Sequence, residues 1–225
     1  GGSQERVDAH RVFDQQLTPS TYVKPAIATI TTMNNQAPVA MYSSLMEDVK
    51  RRLVLVKRFP SGEIPVGSEQ FAYECVSVQL RKVLELVAFA SLCANKEKYA
   101  EVYSDFAKHW KAKALLQALG RLHPDFYPTP MKPPFTKPDG TKLLDRVADG
   151  FLTPDEFVVL YDKCSEVIHT RNPFSTSEPR IDFVHSVDHW LDRIMALLRL
   201  HLITLAGSPE VWLVSMHEPS DGRVH

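Results

Sequence analysis

The segment 166–174 carries side chains that could hold an anion and transfer a proton. His169 follows Glu166 by three positions, and Arg171 and Asn172 come just after it. The segment ends a predicted helix, where the negative end of the helix dipole favours a charged histidine, and arginine and asparagine can donate hydrogen bonds to an anion. His169, Arg171 and Asn172 are therefore our candidate substrate-binding residues. In the alternative interpretation, His169 caps the last carbonyls of the helix and Arg171 pairs with Glu166.

A second group of polar residues lies on the last predicted helix, at intervals of three and four positions: Asp182, His185, His189 and Asp192. Such spacing aligns side chains along one face of a helix. Two carboxylates and two imidazoles in a row could bind Zn, Mn or Fe. No established ligand spacing is matched, and polar helix faces collect such residues routinely, so we assign no metal ligand.

An arginine and a histidine occur five positions apart at the start of the same helix, at Arg180 and His185. This pair resembles the R-x4-6-H motif of HEPN domains, which are helical bundles often found as metal-independent ribonucleases in toxin and phage-defence systems. The resemblance covers these two residues and the broadly helical layout of residues 42–205. It implies that two motifs meet across a dimer, with Arg180 and His185 as catalytic residues at the scissile phosphate and the 2′-hydroxyl. In the alternative interpretation, Arg180 lies in the first helical turn and His185 on a solvated face.

A third candidate is a nucleic-acid surface on the predicted helix near residue 110 and on the loop after it. Basic side chains would hold phosphates, and an exposed aromatic ring would stack on bases. The alternative is an ordinary solvated basic face, with Trp110 in the core because it shares the apolar stripe of its helix. The residues concerned are Lys108, His109, Trp110, Lys111, Lys113, Arg121, Phe126 and Tyr127.

Composition and missing motifs exclude several classes of protein. The 225 residues include 26 Lys and Arg against 27 Asp and Glu, so no strong overall field attracts nucleic acid. The sequence has no glycine-rich phosphate loop, no G-x-S-x-G elbow, no C-x-x-C pair and no H-E-x-x-H helix. Three widely spaced cysteines in apolar runs indicate reduced thiols in a cytoplasmic setting. The longest apolar run, residues 83–94, is shorter than the roughly 20 residues that a bilayer needs.

Helical spacing of apolar residues predicts the main elements that would position these groups: residues 42–58, 68–95, 96–122, 153–171 and 179–205. The segment 68–95 is apolar nearly all round, which is typical of a central helix. Its Arg81 and Glu85 belong to a narrow polar stripe, and a buried Glu85 would need Arg81 or His201 as a partner. His201, on the apolar stripe of the last helix, is predicted to be buried and hydrogen-bonded.

Capping and strand signals add boundaries to this pattern. Thr153 and Glu156 match a capping box, with Pro154 at the first helical position. The runs 26–32 and 211–216 carry the β-branched and apolar residues typical of strands. Because an isolated strand is marginal in water, we expect these two runs to pair with each other and Trp212 to pack on a helix.

We therefore predict a mainly α protein, a helical bundle of four or five main helices with a small accessory β-sheet formed by the N- and C-terminal segments. Residues 1–40 would be an extended arm with one strand, 41–206 the bundle domain, and 207–225 a C-terminal strand and turn. The resemblance leads us to expect a cytoplasmic HEPN-like protein that binds or cleaves RNA, in a toxin or phage-defence system. We expect a homodimer or larger assembly, with no cofactor, metal or membrane. Two alternatives stay open: a non-enzymatic helical interaction or assembly module, and a helical metalloprotein that uses the Asp182 to Asp192 row.

Overall fold

The computed structural model describes residues 36–102, 112–170, 174, 183 and 185–225, and within them the chain forms six helices and five short strands. The helices are α1 (Gln36–Arg58), α2 (Glu69–Ala94), α3 (Lys96–Val102), α4 (Ala112–Leu122), α5 (Pro154–Ile168) and α6 (Val187–Leu198). The strands are β1 (Thr129–Pro130), β2 (Phe135–Thr136), β3 (Lys142–Leu143), β4 (Leu200–Thr204) and β5 (Val211–Ser215). The mainly α class expected from the sequence is confirmed.

Helix α2 is the central element of the bundle, because α1, α4 and α5 all pack against it. Val76, Leu80 and Val83 are fully buried along its length. The helix begins after Ser68, whose hydroxyl oxygen accepts a hydrogen bond from the backbone N–H of Phe71 at 3.2 Å. The predicted central helix is therefore confirmed, with ends one residue inside those expected.

The capping box predicted for α5 is present. The backbone N–H of Glu156 donates to the Thr153 hydroxyl oxygen at 3.3 Å, and the Glu156 carboxylate accepts the Thr153 N–H at 2.9 Å. The same carboxylate accepts two hydrogen bonds from Arg193 of α6, the shorter at 2.6 Å. Burial opposes ionisation, yet these donors together lower the pKa of Glu156. The capping box thus marks the start of α5, and its Glu156 also links that N-terminus to Arg193 of α6.

Helix α1 starts earlier than the sequence pattern indicated. It begins at Gln36, so residues 36–40 of the predicted extended arm are helical, with Pro38 in the first turn where its missing N–H does no harm. The predicted strand 26–32 lies outside the described residues. Of the predicted helix 96–122, the described parts are α3 and α4, since residues 103–111 also lie outside the described ranges.

The last helix is much shorter than predicted. The sequence pattern suggested one helix over 179–205, but α6 begins at Val187 and ends at Leu198, and residues 200–204 form strand β4. His201 fits a helical stripe by its spacing from Leu198, yet in an extended chain it is also a buried position that alternates with half-buried ones. The backbone of β4 resolves the ambiguity, because it finds hydrogen-bond partners in β5.

Strands β1, β4 and β5 form an antiparallel sheet in that order, with Leu200 opposite Ser215 and Thr204 opposite Val211. Strand β5 thus pairs with β4, which is close to it in the chain. This pairing was not predicted, because residues 200–204 were expected to be helical. Trp212 contacts the ring of Tyr42 in α1 edge-on at 5.9 Å, so the prediction that Trp212 packs on a helix is confirmed. A second sheet is the small hairpin of β2 and β3. Among the described residues, no helix combines the length and hydropathy that a membrane span requires.

Candidate functional site

His185 and His189 form a pair at the start of α6, in which His185 is exposed and His189 is half-buried; we call it the exposed histidine pair. His185 lies in solvent just before Ser186, the N-cap residue, whose hydroxyl oxygen accepts the backbone N–H of His189 at 3.2 Å. The centres of the two imidazole rings are 4.2 Å apart and the ring planes meet at 37°. His185 therefore precedes the helix rather than lying within it, which corrects the predicted placement while keeping the two histidines together.

Trp190 holds the exposed histidine pair against the protein. Its indole is buried and donates a hydrogen bond from Nε1 to the carbonyl oxygen of Phe183 at 2.9 Å. The indole ring lies 5.4 Å from the ring of His185 and 5.5 Å from that of His189. Phe183, itself buried, contacts Tyr73 of α2 with ring centres 6.1 Å apart. Two buried aromatic residues thus anchor the segment that carries the exposed imidazoles.

The other residues predicted to form a site are described only in part. Arg180, Arg171 and Asn172 lie outside the described residues. His169 is exposed and is the C-cap residue of α5, which places it at the helix end where the sequence located it. Glu166, the predicted partner of Arg171, accepts a hydrogen bond from Lys163 at 2.8 Å. That His169 and His185 share one site stays a prediction.

The row Asp182, His185, His189 and Asp192 does not lie on one helix face as expected. Asp182 is outside the described residues, and His185 precedes α6 whereas His189 and Asp192 belong to it. Within the part of the chain that the structure describes, no three His, Cys, Asp or Glu side chains come together as a metal site.

Two aromatic residues of the predicted nucleic-acid surface, Phe126 and Tyr127, are described by the structure. Phe126 and Tyr127 are buried, and the Tyr127 hydroxyl donates to the carbonyl oxygen of Leu152 at 3.1 Å. Neither ring is available to stack on a base, so this part of the prediction is wrong. Lys113 forms an ion pair with Asp162 at 2.7 Å, and Arg121 is exposed. Lys108, His109, Trp110 and Lys111 lie outside the described residues.

A polar network connects α2 and α5, and the sequence predicted only the part of it that lies within α2. Arg81 donates from Nε to Glu85 at 3.2 Å, so of the two partners expected for Glu85 the structure has Arg81, and His201 bonds elsewhere. Its Nη1 also donates to the hydroxyl of Ser165 at 3.3 Å, and its guanidinium lies 4.9 Å from the ring centre of Tyr161. Burial would lower the pKa of Arg81, but Tyr161 and Glu85 raise it above its usual value. Spacing along one helix revealed the first contact, whereas the contacts to α5 depend on packing.

The buried pair Tyr42–His201 is the second place where a histidine meets an aromatic partner. The carbonyl oxygen of Leu198 lies 2.7 Å from Nδ1 of His201, so Nδ1 must donate and Nε2 must accept. The Tyr42 hydroxyl, 2.7 Å from Nε2, is then the donor. Burial lowers the pKa of His201 to about 4, against the opposing effect of the Leu198 carbonyl. The prediction of a buried, hydrogen-bonded His201 is confirmed, although the sequence did not reveal Tyr42 as its partner.

Cys164 is unsuited to nucleophilic chemistry. It is fully buried in α5, and burial raises the pKa of its thiol to about 12. A thiol at that pKa carries almost no thiolate at neutral pH. Cys75 and Cys93 are half-buried and unbridged. The exposed histidine pair is therefore the described feature best suited to chemistry in solution.

Comparison with models of protein families, with curated proteins and with solved structures finds no match to this chain.

Proposed function

We propose that this chain is a HEPN-like helical protein that binds or cleaves RNA, with the exposed histidine pair as its reactive centre. The observation that carries the proposal is the contact of the exposed His185 imidazole with that of His189, 4.2 Å from centre to centre. Arg180, five positions before His185, would supply a guanidinium to the same site.

Cleavage of RNA without a metal needs one group that removes a proton and another that returns one. The 2′-oxygen attacks the neighbouring phosphorus as its proton passes to a base. The bond from phosphorus to the 5′-oxygen breaks as that oxygen takes a proton from an acid, which leaves a 2′,3′-cyclic phosphate and a 5′-hydroxyl. Imidazole serves either role near neutral pH. His185 and His189 could divide these roles, and the guanidinium of Arg180 would bind the phosphate.

The start of α6 favours a phosphate at the same place. Backbone N–H groups of a first helical turn, together with the helix dipole, attract anions. Asp188 lies in that turn, and its negative charge repels an anion there. We therefore expect Asp188→Asn to tighten RNA binding by about two- to fivefold, the range that a single charge near a helix terminus supplies.

The main test is RNA binding and cleavage by the full chain and by His185→Ala, His189→Ala and Arg180→Ala. Loss of a general acid or base lowers a cleavage rate by about 100-fold or more. His225→Ala is the matched control, since His225 is an exposed histidine that pairs with Asp221 at 3.0 Å. The histidine variants should keep their melting temperatures within a few degrees of the wild-type value, because neither His185 nor His189 is a core residue and such side chains contribute little to stability.

The outcomes separate the proposal from its alternatives. Cleavage that survives in both His185→Ala and Arg180→Ala would reject the assignment of the site. Added EDTA should leave the cleavage rate unchanged, and a rate that falls with the chelator would favour the metalloprotein interpretation.

A second candidate function is assembly with another copy of the chain, and an apolar groove in the loop between α1 and α2 favours it. The groove has a volume of about 340 Å³ and is lined in part by Phe59, Ile64, Val66 and Tyr73. Phe71, in the first turn of α2, exposes 53% of its surface nearby. Exposed large apolar side chains beside an apolar groove are typical of interaction sites.

Sedimentation velocity at several protein concentrations tests the assembly candidate. If Phe71 lies in an interface between copies, Phe71→Glu should convert the wild-type assembly into monomers. Val159→Glu, which changes an exposed apolar residue of α5, is the control and should sediment as the wild type does. A wild-type chain that is monomeric at every concentration removes this candidate.

A further inference from the structure

The exposed histidine pair has the geometry of two ligands on one metal ion. Imidazole nitrogen lies about 2.0 to 2.1 Å from a bound first-row metal, which puts the ring centre about 3.2 Å from the ion. Two imidazoles in neighbouring positions of an octahedron then have ring centres about 4.5 Å apart by the same geometry. The observed separation between His185 and His189 is 4.2 Å, with ring planes tilted by 37°. The observed separation is thus close to that of two imidazoles on one ion.

The pair is also held in place before any ligand arrives. Trp190 contacts both imidazoles and is itself buried and hydrogen-bonded to Phe183. His189 is part of a capped helix, with its backbone N–H bonded to Ser186. Side chains that are ordered in advance lose less conformational freedom on binding, so a chelating pair gains affinity.

We propose that His185 and His189 form a two-histidine binding site for a divalent ion of nickel, copper or zinc. Imidazole suits these metals, whereas magnesium and calcium prefer oxygen ligands. No third His, Cys, Asp or Glu side chain joins the pair among the described residues. Water can occupy the coordination positions that two imidazoles leave open. The site requires neutral imidazoles and does not depend on the proposed RNA activity, because it needs nothing beyond the two rings.

Titration of the untagged full chain with nickel chloride tests this site by calorimetry, since an affinity tag would itself bind nickel. The wild-type chain should bind one ion with saturation, and His185→Ala and His189→Ala should each weaken binding by at least about tenfold, because one ligand of a chelating pair is lost. His225→Ala removes an exposed histidine that pairs with Asp221 and should bind nickel as the wild type does. Tryptophan fluorescence gives a second readout, since nickel at the pair would lie beside the Trp190 ring and quench it.

Three results would overturn the inference: no saturable nickel binding by the wild-type chain, wild-type affinity in both His185→Ala and His189→Ala, or equal loss of affinity in His225→Ala. Nickel binding is measured without RNA, so its outcome is separate from that of the cleavage assay. A chain that binds nickel at the pair but leaves RNA intact would retain this inference and reject the proposed function.

Discussion

Two histidines of this protein meet aromatic or imidazole partners in opposite surroundings. His201 lies in the core between α1 and the sheet, where it accepts from Tyr42 and donates to the carbonyl of Leu198. His185 lies in solvent at the start of α6, beside His189. The buried imidazole has both ring nitrogens bonded within the protein, whereas the imidazole of His185 is exposed to the solvent.

This contrast shows that burial and partners decide what a histidine does. Burial disfavours the charged form of His201, and the Leu198 carbonyl fixes its tautomer. His201 can therefore serve neither as an acid nor as a metal ligand unless the core is disrupted. The exposed pair keeps access to protons, metals and phosphates. Stability should therefore depend on Tyr42–His201, and binding should depend on His185–His189.

The largest expected effect is that of His201→Ala on the free energy of unfolding. The substitution removes two hydrogen bonds, leaves the Tyr42 hydroxyl buried without its acceptor and opens a cavity. These effects together should cost about 4 kcal/mol, measured by urea denaturation at pH 7.5. His225→Ala is the surface control. A cost below about 1 kcal/mol would show that the core adapts to the loss.

Acid should destabilise the wild-type protein through the same residue. The pKa of His201 is about 4 in the folded chain, against an ordinary value of 6.5. Between these values the unfolded chain binds more protons, so stability is complete above about pH 6.5 and falls as pH drops towards 4, by about 3 kcal/mol. His201→Gln cannot titrate, and its stability should change less over this range. Carboxylates contribute equally to both proteins, so parallel profiles would contradict the assignment.

Removal of one hydroxyl tests the hydrogen bond alone. Tyr42→Phe keeps the ring and its edge-on contact with Trp212 but leaves Nε2 of His201 without a donor. An unsatisfied buried acceptor should cost about 1.5 kcal/mol in urea denaturation. Tyr73→Phe, a change of a half-buried tyrosine in α2, gives the baseline for loss of a hydroxyl. An equal loss of unfolding free energy in the two variants would mean that the hydrogen bond to His201 adds nothing to stability.

Ser186, the N-cap residue of α6, is expected both to stabilise the helix and to position the exposed histidine pair. Ser186→Ala should cost about 1 kcal/mol because the N–H of His189 loses its acceptor. Ser68→Ala, which removes the N-cap of α2, should cost a similar amount. Only Ser186→Ala should also weaken nickel binding in the calorimetric titration. Unchanged nickel binding would show that the cap does not position the imidazoles.

The smallest expected effect on stability is that of the exposed pair itself. His185→Ala and His189→Ala should each change the free energy of unfolding by less than about 0.5 kcal/mol at pH 7.5, because neither fills the core. Urea denaturation beside His201→Ala gives the direct comparison. A cost above about 2 kcal/mol for either variant would show a structural role for these imidazoles.

Local signals explain which parts of the fold the sequence predicted well. Thr153, Pro154 and Glu156 are close in the chain, and the capping box that they form needs nothing from elsewhere. The central position of α2 followed from apolar residues on nearly all its faces. The capping box is an interaction within a few positions, and apolar residues on nearly all faces of α2 require its burial whichever segments cover it.

The boundary between α6 and β4 shows where such signals fail. Residues 200–204 carry apolar residues that fit a helical stripe and a strand equally well. The choice depends on β5, whose backbone supplies the hydrogen bonds across the sheet. Because residues 200–204 were predicted to be helical, they were not expected to pair with β5. The predicted sheet therefore paired residues 211–216 with residues 26–32 instead.

The sequence by itself determined the helical class, the central position of α2, the capped start of α5 and the burial of His201, and it named Arg81 as one of two partners for Glu85. The tertiary structure decided which side chains those residues meet across the fold. Tyr42 and His201 are 159 positions apart, and Arg81 and Ser165 are 84 apart. Spacing along a helix records only neighbours within about a turn, whereas contacts between distant segments form when apolar faces pack and bring their polar groups within reach. The contact of His185 with His189 lies between these cases, because the spacing suggested it and the packing of Trp190 holds it in place.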